Sequence, residues 1–175
     1  MSLISEDYRS LNEKLHSSNP AYGTSGKKWA NTIHQLALSL QTTDILDYGC
    51  GKSTLANNLP FKINQYDPAV SRYSTRPIPA DIVVCTDVLE HIEPENLDTV
   101  LDDIKSLTRI MGFFTVATRP AKKVLEDGRN AHLIQESVDW WIPKFISRFH
   151  IKNINVEEDE FVVVVQSRKK KLEIV

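Results

Sequence analysis

The stretch that decides the fold runs from Asp44 to Thr54 and reads Asp-Ile-Leu-Asp-Tyr-Gly-Cys-Gly-Lys-Ser-Thr. It is a buried-strand pattern that breaks into a glycine turn, and the turn is predicted to open a helix. A phosphate-binding P-loop needs a glycine five residues before Gly51, where this chain has Leu46. In addition, Asp47 would direct a negative charge at bound phosphates. The P-loop interpretation is therefore disfavoured.

Two other interpretations use both Gly49 and Gly51. In the dinucleotide fingerprint G-x-G-x-x-G the third position would be Thr54, which loosens the packing of helix on strand. The pattern Asp-x-Gly-x-Gly instead resembles motif I of the class I S-adenosylmethionine (SAM)-dependent methyltransferases, although Ser53 replaces the third glycine often seen there. The resemblance implies that the glycines admit the methionine part of SAM and that Asp47 receives its ammonium group, directly or through water. On these residues alone, a plain turn stays open as an alternative.

Length and composition predict one globular domain. The chain has 175 residues, 41% of them hydrophobic, and a formal net charge of −2, which argues against a general polyanion binder. Its two cysteines are too few for a disulfide framework or a zinc site. Neither a signal-peptide pattern nor a membrane-spanning apolar run is present in the sequence, so we expect a cytoplasmic protein without a membrane partner.

Strand and helix patterns alternate along the chain. They predict a single three-layer α/β domain, with a mostly parallel sheet, helices on both faces and a C-terminal antiparallel hairpin. Residues 1–25 are expected to form an N-terminal helix and lid segment, and residues 26–175 the core. The predicted helices are 29–40, 97–110 and 138–149, and the predicted strands are 44–48, 63–66, 82–85, 113–117, 151–156 and 161–165. The closing hairpin is typical of class I methyltransferases, whereas a dehydrogenase-type domain normally continues in parallel.

The most specific segment is Asp81 to Ile92, Asp-Ile-Val-Val-Cys-Thr-Asp-Val-Leu-Glu-His-Ile. It closely resembles the fourth-strand motif of many class I methyltransferases and extends the resemblance from about residue 44 to residue 117. Asp67 follows Asp47 by 20 residues, a spacing that suits a carboxylate bound to ribose hydroxyls. Only 14 residues separate Asp67 from Asp81, so one helix and one edge strand are expected to be reduced to loop. The residues predicted to contact SAM are Tyr22, Asp47, Tyr48, Gly49, Cys50, Gly51, Asp67, Pro68, Thr86, Asp87 and Val88.

Asp87, Glu90 and His91 would share one face of a helical turn. They could be hydrogen-bonding scaffold, or His91 could be a general base for a hydroxyl or amine acceptor. The third alternative is a divalent-metal site that adds His132, because small-RNA terminal 2′-O-methyltransferases carry a similar Glu-x-x-Glu-His cluster and a later histidine. In this chain the first ligand would be Asp rather than Glu. Asp87, His91 and His132 are the predicted catalytic residues, and no metal is the main expectation.

The loop after the strand at 113–117 is expected to border the acceptor site. Arg119, Arg129 and His132 are predicted to contact a polar or acidic acceptor, while Lys122 and Lys123 are interpreted as solvated charge. The sequence lacks the Asn/Asp-Pro-Pro-Tyr and Pro-Cys motifs of DNA methylation. A small-molecule acceptor is therefore expected, with RNA or protein left open, as is the oligomeric state. The contrasting hypothesis is a SAM-binding protein that does not methylate, either a SAM-degrading enzyme or a sensor.

Overall fold

The computed structural model describes residues 3–19 and 22–168. Within these ranges lie four α-helices and one six-stranded sheet. The helices are α1 (Glu6–Ser18), α2 (Gly26–Leu40), α3 (Leu97–Leu107) and α4 (Val138–Ile146). The strands are β1 (Ile45–Tyr48), β2 (Asn64–Tyr66), β3 (Ala80–Thr86), β4 (Thr108–Ala117), β5 (Phe149–Val156) and β6 (Glu160–Ser167).

The sheet has the strand order β2-β1-β3-β4-β6-β5. Strands β2, β1, β3 and β4 run parallel, while β6 pairs antiparallel with both β4 and β5. The predicted mostly parallel sheet with a closing hairpin is confirmed. Because their direction is shared, the carboxyl ends of β1, β2, β3 and β4 meet at one edge of the sheet.

Helices cover both faces of the sheet, and neighbouring strand residues point to opposite faces. Ile45, Ile82 and Phe113 pack in one apolar cluster with α2. Leu46 and Val83, each one position further along its strand, pack in a second cluster with α3 and α4. This alternation gives the three layers expected from the sequence. None of the helices in the described ranges is long and apolar enough to span a bilayer.

The loop between β2 and β3 matches the expected reduction. Residues 67–79 form a single 3-10 turn, Ser71–Tyr73, and no strand, so the three-residue β2 lies at the edge of the sheet. The helix expected after the glycine turn is absent, because turns and one 3-10 turn, Ala56–Asn58, occupy that stretch. Ser53 has a φ of 62°, a left-handed conformation that a continuing α-helix cannot accommodate.

Two predicted helices were too long. Helix α3 ends at Leu107, where the Thr108 hydroxyl donates to the Ile104 carbonyl at 2.8 Å and β4 begins. Ile110, predicted in the helix, therefore lies in β4. Helix α4 ends at Ile146, and Phe149 is a fully buried residue of β5. Ile110 and Phe149 each continue the apolar spacing of the preceding helix. An apolar residue at such a position can also belong to the strand that follows, as both do here.

Candidate functional site

The glycine turn after β1 has a conformation that side chains would obstruct. Gly49 has a φ of 81° and Gly51 a φ of 49°, both in the left-handed region. A Cβ on Gly49 would overlap the side chain of Val88, and one on Gly51 would lie 2.9 Å from backbone atoms of Gly23. The amides of Gly49 and Cys50 donate to the Tyr66 carbonyl, at 2.7 and 3.1 Å. The turn is thus fixed to β2 and in contact with the segment before α2.

The carboxylate of Asp67 is oriented at the end of β2. It is 7% exposed and accepts the amide of Gly51 at 3.0 Å and that of Ala69 at 2.9 Å. Burial raises the pKa of this carboxyl, and the nearby His16 and the two amides oppose that rise. Each carboxylate oxygen keeps a second acceptor position for a ligand.

A first cleft opens at the carboxyl ends of β1, β2 and β3 and encloses about 730 Å³, counting its open mouth. Part of its wall consists of residues predicted from the sequence, namely Tyr22, Tyr48, Gly49, Gly51, Asp67, Pro68, Asp87 and Val88. Asp47, Cys50 and Thr86 are buried but do not line it. Strand alternation accounts for two of them, because Tyr48 faces the cleft while Asp47 and Thr86 fall on the α2 side of the sheet.

Asp47 is buried in a way that disfavours its charge. Its side chain is 3% exposed, and burial, aided by the nearby Asp67, raises its pKa from 3.8 to about 7. The native protein therefore holds this carboxyl partly protonated near neutral pH.

The N-terminal segment forms another part of the wall, where the sequence predicted a helix and lid segment but named only Tyr22 as a contact. The residues it contributes to the first cleft are Leu3, Ile4, Tyr8, Asn12 and His16. Ser5 caps α1 and also binds Glu93, with its amide and hydroxyl donating at 2.8 and 2.6 Å. The Tyr8 hydroxyl donates to the His91 carbonyl at 2.5 Å, and the Tyr22 hydroxyl donates to Asn12 Oδ1 at 3.0 Å. The spacing of Tyr8, Leu11 and Leu15 was the available sign that α1 has a packed face.

A four-residue cluster lies beside the first cleft. Asp87, Glu90, His91 and His132 each offer a ligand atom, and these atoms lie within 4.8 Å of one another. Asp87 follows β3 with a φ of 58°, and a 3-10 turn, Leu89–His91, carries the next two members. His132 comes from the loop after β4. The structure thus brings together Asp87, His91 and His132, the residues predicted to be catalytic. Of the cluster, Glu90 and His91 lie on a 3-10 turn.

Both histidines of the cluster are oriented by backbone carbonyls. His91 Nδ1 lies 2.7 Å from the Ala131 oxygen, and His132 Nδ1 lies 2.7 Å from the Arg119 oxygen. A carbonyl only accepts, so each Nδ1 carries a proton, and in the neutral form of either ring the lone pair is on Nε2. Burial lowers the pKa of His91 to about 4, against the opposing effect of Asp87. His91 is therefore neutral at pH 7.

The two carboxyl groups of the cluster differ in charge. Glu90 is fully buried, and its Oε1 accepts the Ala117 amide at 2.8 Å while Oε2 has no hydrogen-bond partner among the described residues. Burial and the neighbouring Asp87 raise the pKa of Glu90 well above its usual value. Burial also opposes ionisation of Asp87, but the Ser25 hydroxyl, at 2.5 Å, and His91 outweigh it and lower that pKa. The surroundings therefore favour the ionised form of Asp87 and the protonated form of Glu90.

A second cleft, of about 560 Å³ with its mouth, adjoins the first and shares Tyr22, Gly23, Asp87 and His91 with it. The remaining residues of its lining are Ser25, Arg119, Ala121, Lys122, Lys123, Ala131 and His132. Arg119 and His132 were predicted to border the acceptor site, whereas the lysines were not.

Arg129, also predicted to contact the acceptor, lines neither cleft. Its guanidinium lies 5.6 Å from the centre of the Tyr8 ring, and its Nε donates to Asp127 at 2.7 Å. Arg129 therefore lies against α1, and its position is explained by the contact with Tyr8 and by the ion pair with Asp127 in its own loop.

Comparison with known proteins identifies the fold. No protein-family profile and no curated protein sequence matches the chain. Among solved structures, magnesium protoporphyrin IX methyltransferase from Synechocystis with bound SAM is 13% identical over 93% of this chain and 98% of that one, with a TM-score of 0.62. The 1,6-didemethyltoxoflavin-N1-methyltransferase from Burkholderia thailandensis, with its acceptor and S-adenosylhomocysteine (SAH), is 14% identical over 97% and 93%, with a TM-score of 0.61. The N-methyltransferase NodS from Bradyrhizobium japonicum with SAH is 14% identical over 94% and 100%, with a TM-score of 0.58. At these identities the likeness establishes the fold alone.

Proposed function

We propose that this chain, which has the fold of the class I SAM-dependent methyltransferases, is such an enzyme and methylates a small molecule. The observation that carries the proposal is a pair of adjoining clefts at the carboxyl ends of the parallel strands. The first offers a glycine turn and the oriented carboxylate of Asp67, and it meets the second at Asp87 and His91. The solved N-methyltransferases of this fold support the assignment, since both hold SAH and one also holds the small molecule 1,6-didemethyltoxoflavin.

The first cleft fits SAM in the chemistry of its lining residues. Asp67 would accept hydrogen bonds from ribose hydroxyls, and Gly49 and Gly51 line the cleft with backbone atoms alone. The ionised form of Asp47 would be favoured by a nearby ammonium group, directly or through water. Cys50 and Thr86, which are buried and do not line the cleft, would support the lining residues without contacting SAM themselves.

The shared wall between the clefts is where the reaction would take place. SAM, when bound, supplies an electrophilic methyl group on a positively charged sulfur. Tyr22 and Asp87 would orient an acceptor at this wall, so that catalysis depends mainly on proximity. His91 or His132 would take up the acceptor proton at Nε2, since Nδ1 of each ring is already bound to a carbonyl.

A divalent cation in the four-residue cluster is the second candidate role for these side chains. The observation that favours it is that the four side chains place ligand atoms within 4.8 Å of one another, with Glu90 fully buried among them. A histidine that binds a metal through Nε2 usually donates its Nδ1 proton to a carbonyl or a carboxylate, as both histidines do to carbonyls here. Asp87, Glu90, His91 and His132 would hold the ion, and it would lower the pKa of an acceptor hydroxyl.

Calorimetric titration with SAM and SAH tests cofactor binding, and radiolabelled SAM with fractionated cell extract tests transfer. We expect binding of both compounds and label transfer into a small-molecule fraction. Release of methylthioadenosine or homocysteine from SAM alone would favour a degrading enzyme. Tight binding without turnover in any fraction would favour a sensor. Failure to bind SAM would contradict the methyltransferase, the degrading enzyme and the sensor alike.

The metal role is tested by Mn²⁺ titration followed by electron paramagnetic resonance. We expect one tightly bound ion in the wild type and a loss of affinity of about 10- to 100-fold in Glu90→Gln and His132→Gln. His150→Gln, on β5 away from the cluster, is the matched control. Transfer activity that survives complete chelation would leave His91 and His132 as bases only.

A cytoplasmic location is part of the same proposal. Cys50 and Cys85 are both buried free thiols, and neither forms a disulfide. Free cysteines are typical of a reducing compartment. Fractionation of cells expressing the protein, with detection by antibody, would test the location.

A further inference from the structure

The second cleft carries more positive than negative charge. Arg119, Lys122 and Lys123 line it, and Asp87 is the only carboxylate among its lining residues. Asp87 Oδ2 already accepts a hydrogen bond from Ser25 at 2.5 Å. The balance of charge at the wall that would face an acceptor is therefore positive.

Lys123 is the cation best placed to meet a ligand. Its side chain is partly buried, and its ammonium lies 4.8 Å from the centre of the Tyr22 ring. No carboxylate lies within ion-pair distance of it among the residues of 3–19 and 22–168. Burial lowers the pKa of this ammonium, and Asp87 opposes that effect. An anion in the cleft would supply the negative charge that the described residues do not place within ion-pair distance of it.

The loop that presents Lys123 is held by backbone hydrogen bonds. The Ala131 amide donates to the Lys123 carbonyl at 3.0 Å, and the Leu125 amide donates to the Arg129 carbonyl at 2.8 Å. Val124 and Asn130 form an antiparallel bridge between these two bonds. Lys123 is thus presented at a defined place rather than on a disordered loop.

The other two cations form the rim. Arg119 is partly neutralised, because its Nε lies 3.7 Å from Asp159. Lys122 is exposed and has no ion pair among the described residues. Two unpaired ammonium groups on consecutive residues can bind one polyatomic anion from two sides.

We propose that the methyl acceptor is a small anionic molecule, whose phosphate or carboxylate group binds beside Lys123, with Lys122 and Arg119 at the rim. This inference rests on the proposed function, because it names the substrate class of the same site. A long nucleic acid is disfavoured, since the chain has a net charge of −2 and Glu126 and Asp127 follow on the same loop.

The direct test measures binding of inorganic phosphate and of acetate to the protein saturated with SAH, at constant ionic strength. Nuclear magnetic resonance of phosphorus and of the acetate methyl group reports the two anions. We expect wild type to bind at least one of them, Lys123→Gln to bind at least about tenfold more weakly, and Lys123→Arg to retain binding. Lys105→Gln, an exposed lysine on α3, is the control and should be unchanged.

A second test uses cell extract and labelled SAM. Acceptor activity should be retained on an anion-exchange column, and loss after phosphatase treatment would identify a phosphate rather than a carboxylate. Lys123→Gln should raise the KM for that fraction and leave SAH affinity unchanged.

Three outcomes would overturn the inference. These are failure of both anions to bind, equal binding by wild type and Lys123→Gln, or acceptor activity that is destroyed by ribonuclease. SAH titration of the same samples reports the proposed function separately. A protein that binds SAH but neither anion would therefore refute the inference on the acceptor alone.

Discussion

Replacing Asp47 by asparagine should stabilise the ligand-free protein at high pH. Burial raises the pKa of Asp47 from 3.8 to about 7, whereas an unfolded chain would titrate near its ordinary value of about 3.9. Between these values the unfolded state loses a proton that the native state retains, so stability falls as pH rises. A difference of about three pKa units corresponds to a loss of about 4 kcal/mol, complete above the native pKa.

The measurement is the free energy of unfolding in urea at pH 5 and pH 8, for wild type and Asp47→Asn. Asparagine does not titrate, so its advantage over wild type should grow by roughly 2–3 kcal/mol between the two pH values. Glu158→Gln, an exposed carboxylate in the turn between β5 and β6, is the control and should show no growth. Comparing the difference between two pH values cancels any constant cost of burying the amide.

The same substitution should weaken SAH binding, because a neutral amide cannot offset an ammonium group. A stability difference that is equal at pH 5 and pH 8 would refute the argument that Asp47 is a buried acid with a raised pKa. Unchanged affinity for SAH would refute only its proposed contact with the ligand.

Three further substitutions test other parts of the site and the core. Gly49→Ala should cost about 1–3 kcal/mol through its left-handed backbone and its overlap with Val88, and adding Val88→Ala should restore part of this loss in thermal unfolding. Asp67→Asn should weaken SAH binding by about tenfold or more, as calorimetry can show, because its amide nitrogen can accept neither a ribose hydroxyl nor the backbone amide bound by the replaced oxygen. Phe145→Ala should cost about 3–5 kcal/mol, seen as a lower urea midpoint at an unchanged slope, because the ring is fully buried against Phe114.

The sheet could be predicted from the sequence because its strands are apolar runs with clear boundaries. Ile45, Ile82 and Phe113 lie in such runs, and α3 between β3 and β4 indicates the parallel pairing of those two strands. The cluster around Asp87 was predictable because three of its members are adjacent in sequence. Its fourth member, His132, was proposed by resemblance, and the structure brings it within reach.

The sequence predicted an N-terminal helix and lid segment, but the contacts that hold α1 at the first cleft could not be predicted, since they join distant segments. Ser5 binds Glu93 and Tyr8 binds His91 across 88 and 83 residues of chain. The proposed role of Lys123 could not be predicted either, because the sequence does not distinguish a solvated lysine from one that lies beside an anion site. Its partly buried position against Tyr22 became visible only with the loop in place.

The amino end of the described chain lies beside the first cleft, whereas its carboxyl end lies at the opposite edge of the sheet. Leu3 is part of the wall of the first cleft. Strand β6 runs antiparallel to β4, and Gln166 pairs with Met111 near the amino end of that strand, which is the edge of the sheet opposite the clefts. An affinity tag placed ahead of Leu3 would therefore sit beside the ligand, whereas one placed after Ser167 would leave at the far edge. Immobilising the protein on a sensor surface through that far edge would keep both clefts facing the solution.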